Sequence, residues 1–169
     1  MKLDTQPRPK LSLPLTKLEI GLEVLTVPLL VLNFVLPAVF WHDLHEVVPS
    51  HFDLQGAANG FSPRSIVWVI AAFALATYVA MTLVSKFPHT FNYIWPITEA
   101  NAPKQYLLAR KFLSILKLEG IVLLFFAMWN IIQVGIGASK TADVMDLFTV
   151  TAMMLVSCVV YIIGAYALK

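Results

Sequence analysis

Four long apolar stretches, separated by polar connections, decide what this chain can fold into. A helix needs about 20 mostly apolar residues to cross a bilayer, and four segments qualify: about 20–40, 66–84, 118–137 and 147–168. Only Glu23 and Glu119 put a formal charge inside these limits. The whole chain agrees: 59% of its residues are hydrophobic and 13% are charged, against roughly 25% charged in soluble domains. Lipid is therefore the expected solvent, and the expected fold class is all-α, an integral membrane bundle of four helices. The first stretch is too long for a signal-peptide core and lacks a small-residue cleavage site, so it reads as an uncleaved span. A single membrane domain over 1–169 is the expected organisation.

Basic residues set the expected orientation. Lys2, Arg8, Lys10 and Lys17 precede the first span, Lys86, Lys104, Arg110, Lys111 and Lys117 lie between the second and third, and Lys169 ends the chain. The other two connections hold one base each, Arg64 and Lys140. Both termini and the 86–117 connection are thus expected in the cytoplasm of a bacterial plasma-membrane protein, with loop 41–65 outside. Trp41 and Trp68 suit the outer interface and Trp95 the inner one.

Three local patterns carry packing expectations. Pro28 and Pro37 free backbone carbonyls inside the first span, so that helix is expected to kink and to face its neighbours there. Ala72, Ala76 and Ala80 recur every four residues in the second span. Small residues at that spacing favour close helix packing within the molecule, or alternatively between two copies. From Asn101, read as a helix N-cap, a helical pattern runs toward the third span, with a possible bend at Gly120. Leu108, Phe112, Leu113, Ile115 and Leu116 fall on one arc and Lys104, Arg110, Lys111, Ser114 and Lys117 on the other. Such a helix is expected to lie on anionic headgroups, or to dock a cytoplasmic partner.

Loop 41–65 holds three of the four histidines and three of the ten acidic residues. Three readings compete. His42 and His45 share a helix face if the first span continues by a turn, and His51 with Asp53 or Glu46 completes a divalent, zinc-type set. Alternatively the segment is a structural cap: Pro49 stiffens its entry, Gly56 and Gly60 allow tight turns, and Asn59-Gly60 is a strong turn dipeptide. His51 and Asp53 then bond loop backbone. The third reading is a recognition surface for a peptide or membrane protein, which a rigid cap would serve.

Two segments together resemble a known family. One is Leu36-Pro37…Val48-Pro49-Ser50-His51-Phe52-Asp53…Gly56…Asn59-Gly60…Ser62; the other is Phe87-Pro88-His89…Asn92-Tyr93…Ile97-Thr98-Glu99-Ala100-Asn101-Ala102…Gln105-Tyr106…Ala109-Arg110. Both are similar to the bacterial multi-pass membrane proteins related to the immunity protein against the sporulation-delaying toxin (SdpI-like), much of which is catalogued as a domain of unknown function. The resemblance covers about residues 15–135. It implies a helical membrane domain with no established catalytic site or cofactor. The outer-loop residues it shares are Pro49, His51, Phe52, Asp53, Gly56, Asn59 and Gly60. Asn92, Thr98, Glu99, Asn101, Tyr106 and Arg110 become candidate cytoplasmic surface residues.

Ionisable groups at the membrane edge have two readings. Glu19, Glu23 and Lys17 on the first helix, with Lys117 and Glu119 on the third, form either a salt-bridge cluster or a proton or ion relay through Glu23 and Glu119. Asn33, Asn130 and Gln133 are the strong polar residues deeper in the spans. Asp143 and Asp146 suit the positive start of the fourth helix. Cys158 sits among apolar residues and is expected to be inert. No histidine lies in a span, which argues against bundle haem, and there is no P-loop, G-x-G-x-x-G, G-x-S-x-G or H-E-x-x-H. The expected function is a non-enzymatic accessory or immunity-like protein that binds another membrane protein or peptide, without a cofactor and without nucleic acid. A small transporter or ion-conducting homo-oligomer, and a zinc-dependent enzyme using the outer loop, are the alternatives.

Overall fold

The chain folds into four long helices and one small β-hairpin (a computed structural model, which describes residues 8–169). Lys2, counted in the charge distribution above, lies outside the described residues. In order the elements are α1 (Lys17–Phe40), β1 (Val47–Phe52), β2 (Ala58–Pro63), α2 (Ile66–Val84), α3 (Ala102–Gly135) and α4 (Val144–Ala167). A short 3-10 turn at Pro88–Thr90 lies between α2 and α3. All four helices are long and apolar enough to cross a membrane, so the architecture is a helical membrane bundle. The hairpin is the one addition to the all-α expectation.

Side-chain caps start two of the helices, α1 and α4. At α1 the Thr16 hydroxyl accepts from Glu19 N–H (3.3 Å) and the Glu19 carboxylate accepts from Thr16 N–H (2.7 Å), a reciprocal capping box. At α4 the Asp143 carboxylate accepts from Met145 N–H at 3.0 Å. At α3 the expected cap is absent. The Asn101 side chain turns backward, accepting from Thr98 N–H (2.8 Å) and donating to the Pro96 carbonyl (3.1 Å), so it shapes the approach to the helix.

α3 is the axis of the bundle and packs against the other three helices, while α4 rests chiefly on α3. The helix is unbroken from the polar connection into the span. Three clusters fill the interior: Leu44, Val48, Val67, Ala71, Met128, Ile131 and Ile132 at the hairpin end, Leu30, Ala74 and Ile121 midway, and Ile97, Ala102 and Tyr106 at the opposite end.

Several packing expectations are corrected. Pro37 is buried but Pro28 faces outward, so only one proline of α1 meets its neighbours. Ala72, Ala76 and Ala80 are all exposed. The face of α2 that packs inside carries Val67, Ala71 and Ala74 instead. The largest correction concerns the basic arc of α3. Arg110, Ser114 and Lys117 are 6%, 7% and 3% exposed, so that part of the arc faces the bundle and not headgroups, while Lys104 is exposed and Lys111 half-buried. The physical reason stands on α1: Glu19 and Glu23 supply counter-charges that a low-dielectric interior makes strong.

Candidate functional site

The residues singled out between α1 and α2 form a hairpin clamped onto the ends of three helices. β1 and β2 pair antiparallel, with Val47 opposite Pro63, Val48 opposite Ser62 and Pro49 opposite Phe61. Paired residues share a face. Val48 points inward and is fully buried, beside Leu44 and against the hairpin-end core. On the other face Val47 and Phe61 are 60% and 63% exposed, and Leu54 at the tip is 70% exposed.

The turn is built by Asp53 and not by Asn59-Gly60, which lie inside β2. One Asp53 carboxylate oxygen accepts from Gln55 N–H (3.0 Å) and Ala57 N–H (2.9 Å), and Gly56 N–H donates to the Asp53 carbonyl (3.0 Å). Gly56 adopts φ +79°, the left-handed region that glycine tolerates. An aspartate that bonds its own following backbone competes successfully with a downstream Asn-Gly.

Three clamps hold the hairpin down. At the tip, Ala142 N–H donates to the Gly56 carbonyl at 2.9 Å, joining the turn to the α3–α4 connection. That connection is braced from below: the buried Asn130 amide accepts from Asp143 N–H (2.7 Å) and donates to the Asp143 carbonyl (3.1 Å). At the end of α3, His45 Nδ1 lies 2.6 Å from the Gly135 carbonyl, which requires the imidazole to donate. Gly135 itself leaves room for Leu44 and Val48, each 3.0 Å from where a Cβ would stand. At the base, the Arg64 guanidinium donates to the Trp41 carbonyl (3.1 Å) and the Leu44 carbonyl (3.3 Å), and lies 4.5 Å from the Trp41 ring. Trp41 in turn packs 6.1 Å from Trp68.

These contacts separate the expected metal set. His45 is bound to Gly135, Asp53 is occupied by the turn, and His51 lies against Gly60. His42 stands apart on the turn after α1. Among the described residues no three His, Cys, Asp or Glu side chains are gathered as a metal site. His42, His45, His51 and Asp53 therefore do not form the zinc-type group expected from their spacing, because backbone carbonyls and amides claim two of them first.

At the opposite end lie one buried ion pair and one half-buried pair. Arg110 meets the Glu19 carboxylate at 2.8 Å and also donates to the Leu13 carbonyl at 2.8 Å. Lys117 pairs with Glu23, donates to the Thr82 hydroxyl (3.0 Å), and lies 4.8 Å from the Tyr78 ring. The Tyr78 hydroxyl donates to Glu23 at 3.1 Å. Glu119 is not part of this cluster: it accepts from Ser157 on α4 at 2.7 Å. Of the candidate surface residues, Asn92, Thr98 and Glu99 are exposed and Asn101 is half-buried. Tyr106 and Arg110 are buried, a correction; the Tyr106 hydroxyl donates to the Pro9 carbonyl at 3.2 Å. Nearby, burial pushes the Tyr93 phenol well above its ordinary value.

Sequence reasoning missed the part of Arg64, Gly135 and Ala142 in the clamp. Arg64 was legible as the lone base of its connection; the other two are ordinary residues until the chain is folded. In comparisons with known proteins, a model of a domain of unknown function (DUF1648) matches residues 29–77. That stretch runs from the second half of α1 through the hairpin into α2. No curated protein and no solved structure matches the chain.

Proposed function

We propose that this protein is a non-enzymatic accessory or immunity-like protein of the bacterial plasma membrane, which binds another membrane protein or a peptide through its hairpin. One observation carries the reading: a hairpin fixed to the bundle by Gly56, His45 and Arg64 holds Val47, Leu54 and Phe61 outward. Exposed apolar side chains on an immobilised platform lose little entropy on binding, which favours recognition. The resemblance to SdpI-like proteins runs through the same hairpin, at Pro49, His51, Phe52, Asp53, Gly56, Asn59 and Gly60.

The test is site-specific photo-crosslinking in native membranes, with a photoreactive amino acid at Leu54. A discrete protein or peptide adduct is expected, lost when Val47 and Phe61 are both replaced by Ser. Adducts to lipid alone would overturn the reading.

A further inference from the structure

Between α1, α3 and α4, at the end of the bundle away from the hairpin, runs an open groove of about 250 Å³. Its apolar walls are Leu18 on α1, Leu108, Phe112 and Ile115 on α3, and Val156 and Val160 on α4. Leu18, Val156 and Val160 are exposed, so the groove opens outward, toward hydrocarbon. Its α3 and α4 walls are pinned above and below. The Gln105 amide donates to the Ala165 carbonyl at 2.9 Å on one side, and the Ser157 hydroxyl donates to Glu119 at 2.7 Å on the other. Between these points the Phe112 and Tyr161 rings stack at 4.4 Å. A slot held this way has its shape before anything enters it.

One wall residue is charged. Lys111 lines the groove between Leu108 and Ile115, is half-buried, and forms no ion pair among the described residues. The groove reaches Leu18 in the first turn of α1, at the headgroup end of that helix, where a long lysine can snorkel. Lys104, Leu108, Lys111 and Ile115 follow one face of α3, and Lys17 directly precedes Leu18. Lys17 and Lys104 are both exposed. The acids of this end, Glu19 and Glu23, are taken by Arg110 and Lys117. An apolar slot beside three bases fits an amphiphile with a net negative head.

Other occupants meet less of this. A zwitterionic headgroup brings its own ammonium toward the three lysines. A soluble anion answers the lysines and leaves the slot unfilled. A second copy's hydroxyls or carbonyls could accept from Lys111, but they leave its charge uncompensated. Its α2 contains no acid, and its α4 contains only Asp146, in the first turn at the hairpin end.

We propose that this groove holds one acyl chain of a phospholipid of net negative charge, whose phosphate oxygens accept from Lys111 Nζ while Lys17 and Lys104 add positive charge around the headgroup. The site lies at the other end of the bundle from the hairpin and does not depend on the reading given to it.

The full chain in phosphatidylcholine nanodiscs can be photolabelled with phosphatidylglycerol carrying a diazirine in its acyl chain, with the labelled residues mapped by mass spectrometry. Adducts should fall on residues 112–115 of α3 and 156–160 of α4. Capture should exceed that of the matching phosphatidylcholine probe by about tenfold. Lys111→Gln should cut phosphatidylglycerol capture about fivefold, and Lys111→Arg should keep most of it. Val160→Phe should drive the adducts out of the groove with Lys111 intact. Unlabelled phosphatidylglycerol should compete, and inorganic phosphate at matched ionic strength should not. Equal capture of the two lipids by the wild type would overturn the proposal, and that comparison needs no variant to fold. So would equal capture by wild type and folded Lys111→Gln, full competition by inorganic phosphate, or crosslinks placing a second copy of the chain in the groove.

Discussion

At Gly56 a methyl group has nowhere to go: a Cβ there would overlap the Ala142 carbonyl oxygen, and the backbone already sits at φ +79°. Gly137 has a similar φ of +75° but open space around it. The two positions separate clash from backbone strain. Gly137→Ala should cost about 1 kcal/mol and Gly56→Ala about 2 kcal/mol or more, read as shifts in reversible unfolding in mixed detergent micelles. Arg110 gives the charge counterpart. Removing it as Arg110→Leu strands the Glu19 carboxylate, which is 3% exposed, and should cost about 3–5 kcal/mol. Adding Glu19→Gln to that variant should recover part of the loss. A double-mutant cycle on the same unfolding transition checks the coupling, and additive costs would show that the pair does not interact.

Among the elements, the segment between α2 and α3 has its own pH signature. Tyr93 donates from its hydroxyl to the Pro88 carbonyl at 2.9 Å, and its phenol is pushed up by burial. A raised folded value means that the stabilisation is complete below the unfolded tyrosine value of about 10 and is lost as pH rises beyond it. Residues 86–101 should therefore become more sensitive to a broad alkaline protease at about pH 11 than near pH 8, and Tyr93→Phe should lose most of that difference. The helices themselves were legible because a bilayer-length apolar run leaves few alternatives. Which way they faced was not. The period of α3 placed Arg110 and Lys117 on one polar arc, but nothing local says that these two meet Glu19 and Glu23 and not headgroups. The hairpin was hidden for a related reason: its strands are short, and its true turn residue, Asp53, competed on paper with the better-known Asn59-Gly60 dipeptide. The histidine cluster misled because spacing records proximity along the chain, while His45 was claimed by a carbonyl 90 residues away.

For the whole molecule, the charge distribution makes a directional prediction. A cysteine introduced at the exposed Leu54 should react with a membrane-impermeant maleimide added to intact cells, and one introduced at the exposed Glu99 should react only after lysis. The native Cys158, half-buried within α4, provides the background level. The reverse pattern would invert the orientation read from the basic residues. One feature of the bundle reaches further than its packing. α3 is a single helix of 34 residues, about 51 Å long at 1.5 Å per residue, against a hydrocarbon layer of about 30 Å. It touches the hairpin through Gly135 at one end and the N-terminal segment through Tyr106 and Arg110 at the other. Such a rod works as a lever: tilting it by about 5° about its hairpin end swings the far end by about 4 Å over that length. A tilt of α3 about its hairpin end would therefore carry its salt-bridged end with it, because the helix is unbroken over its 34 residues.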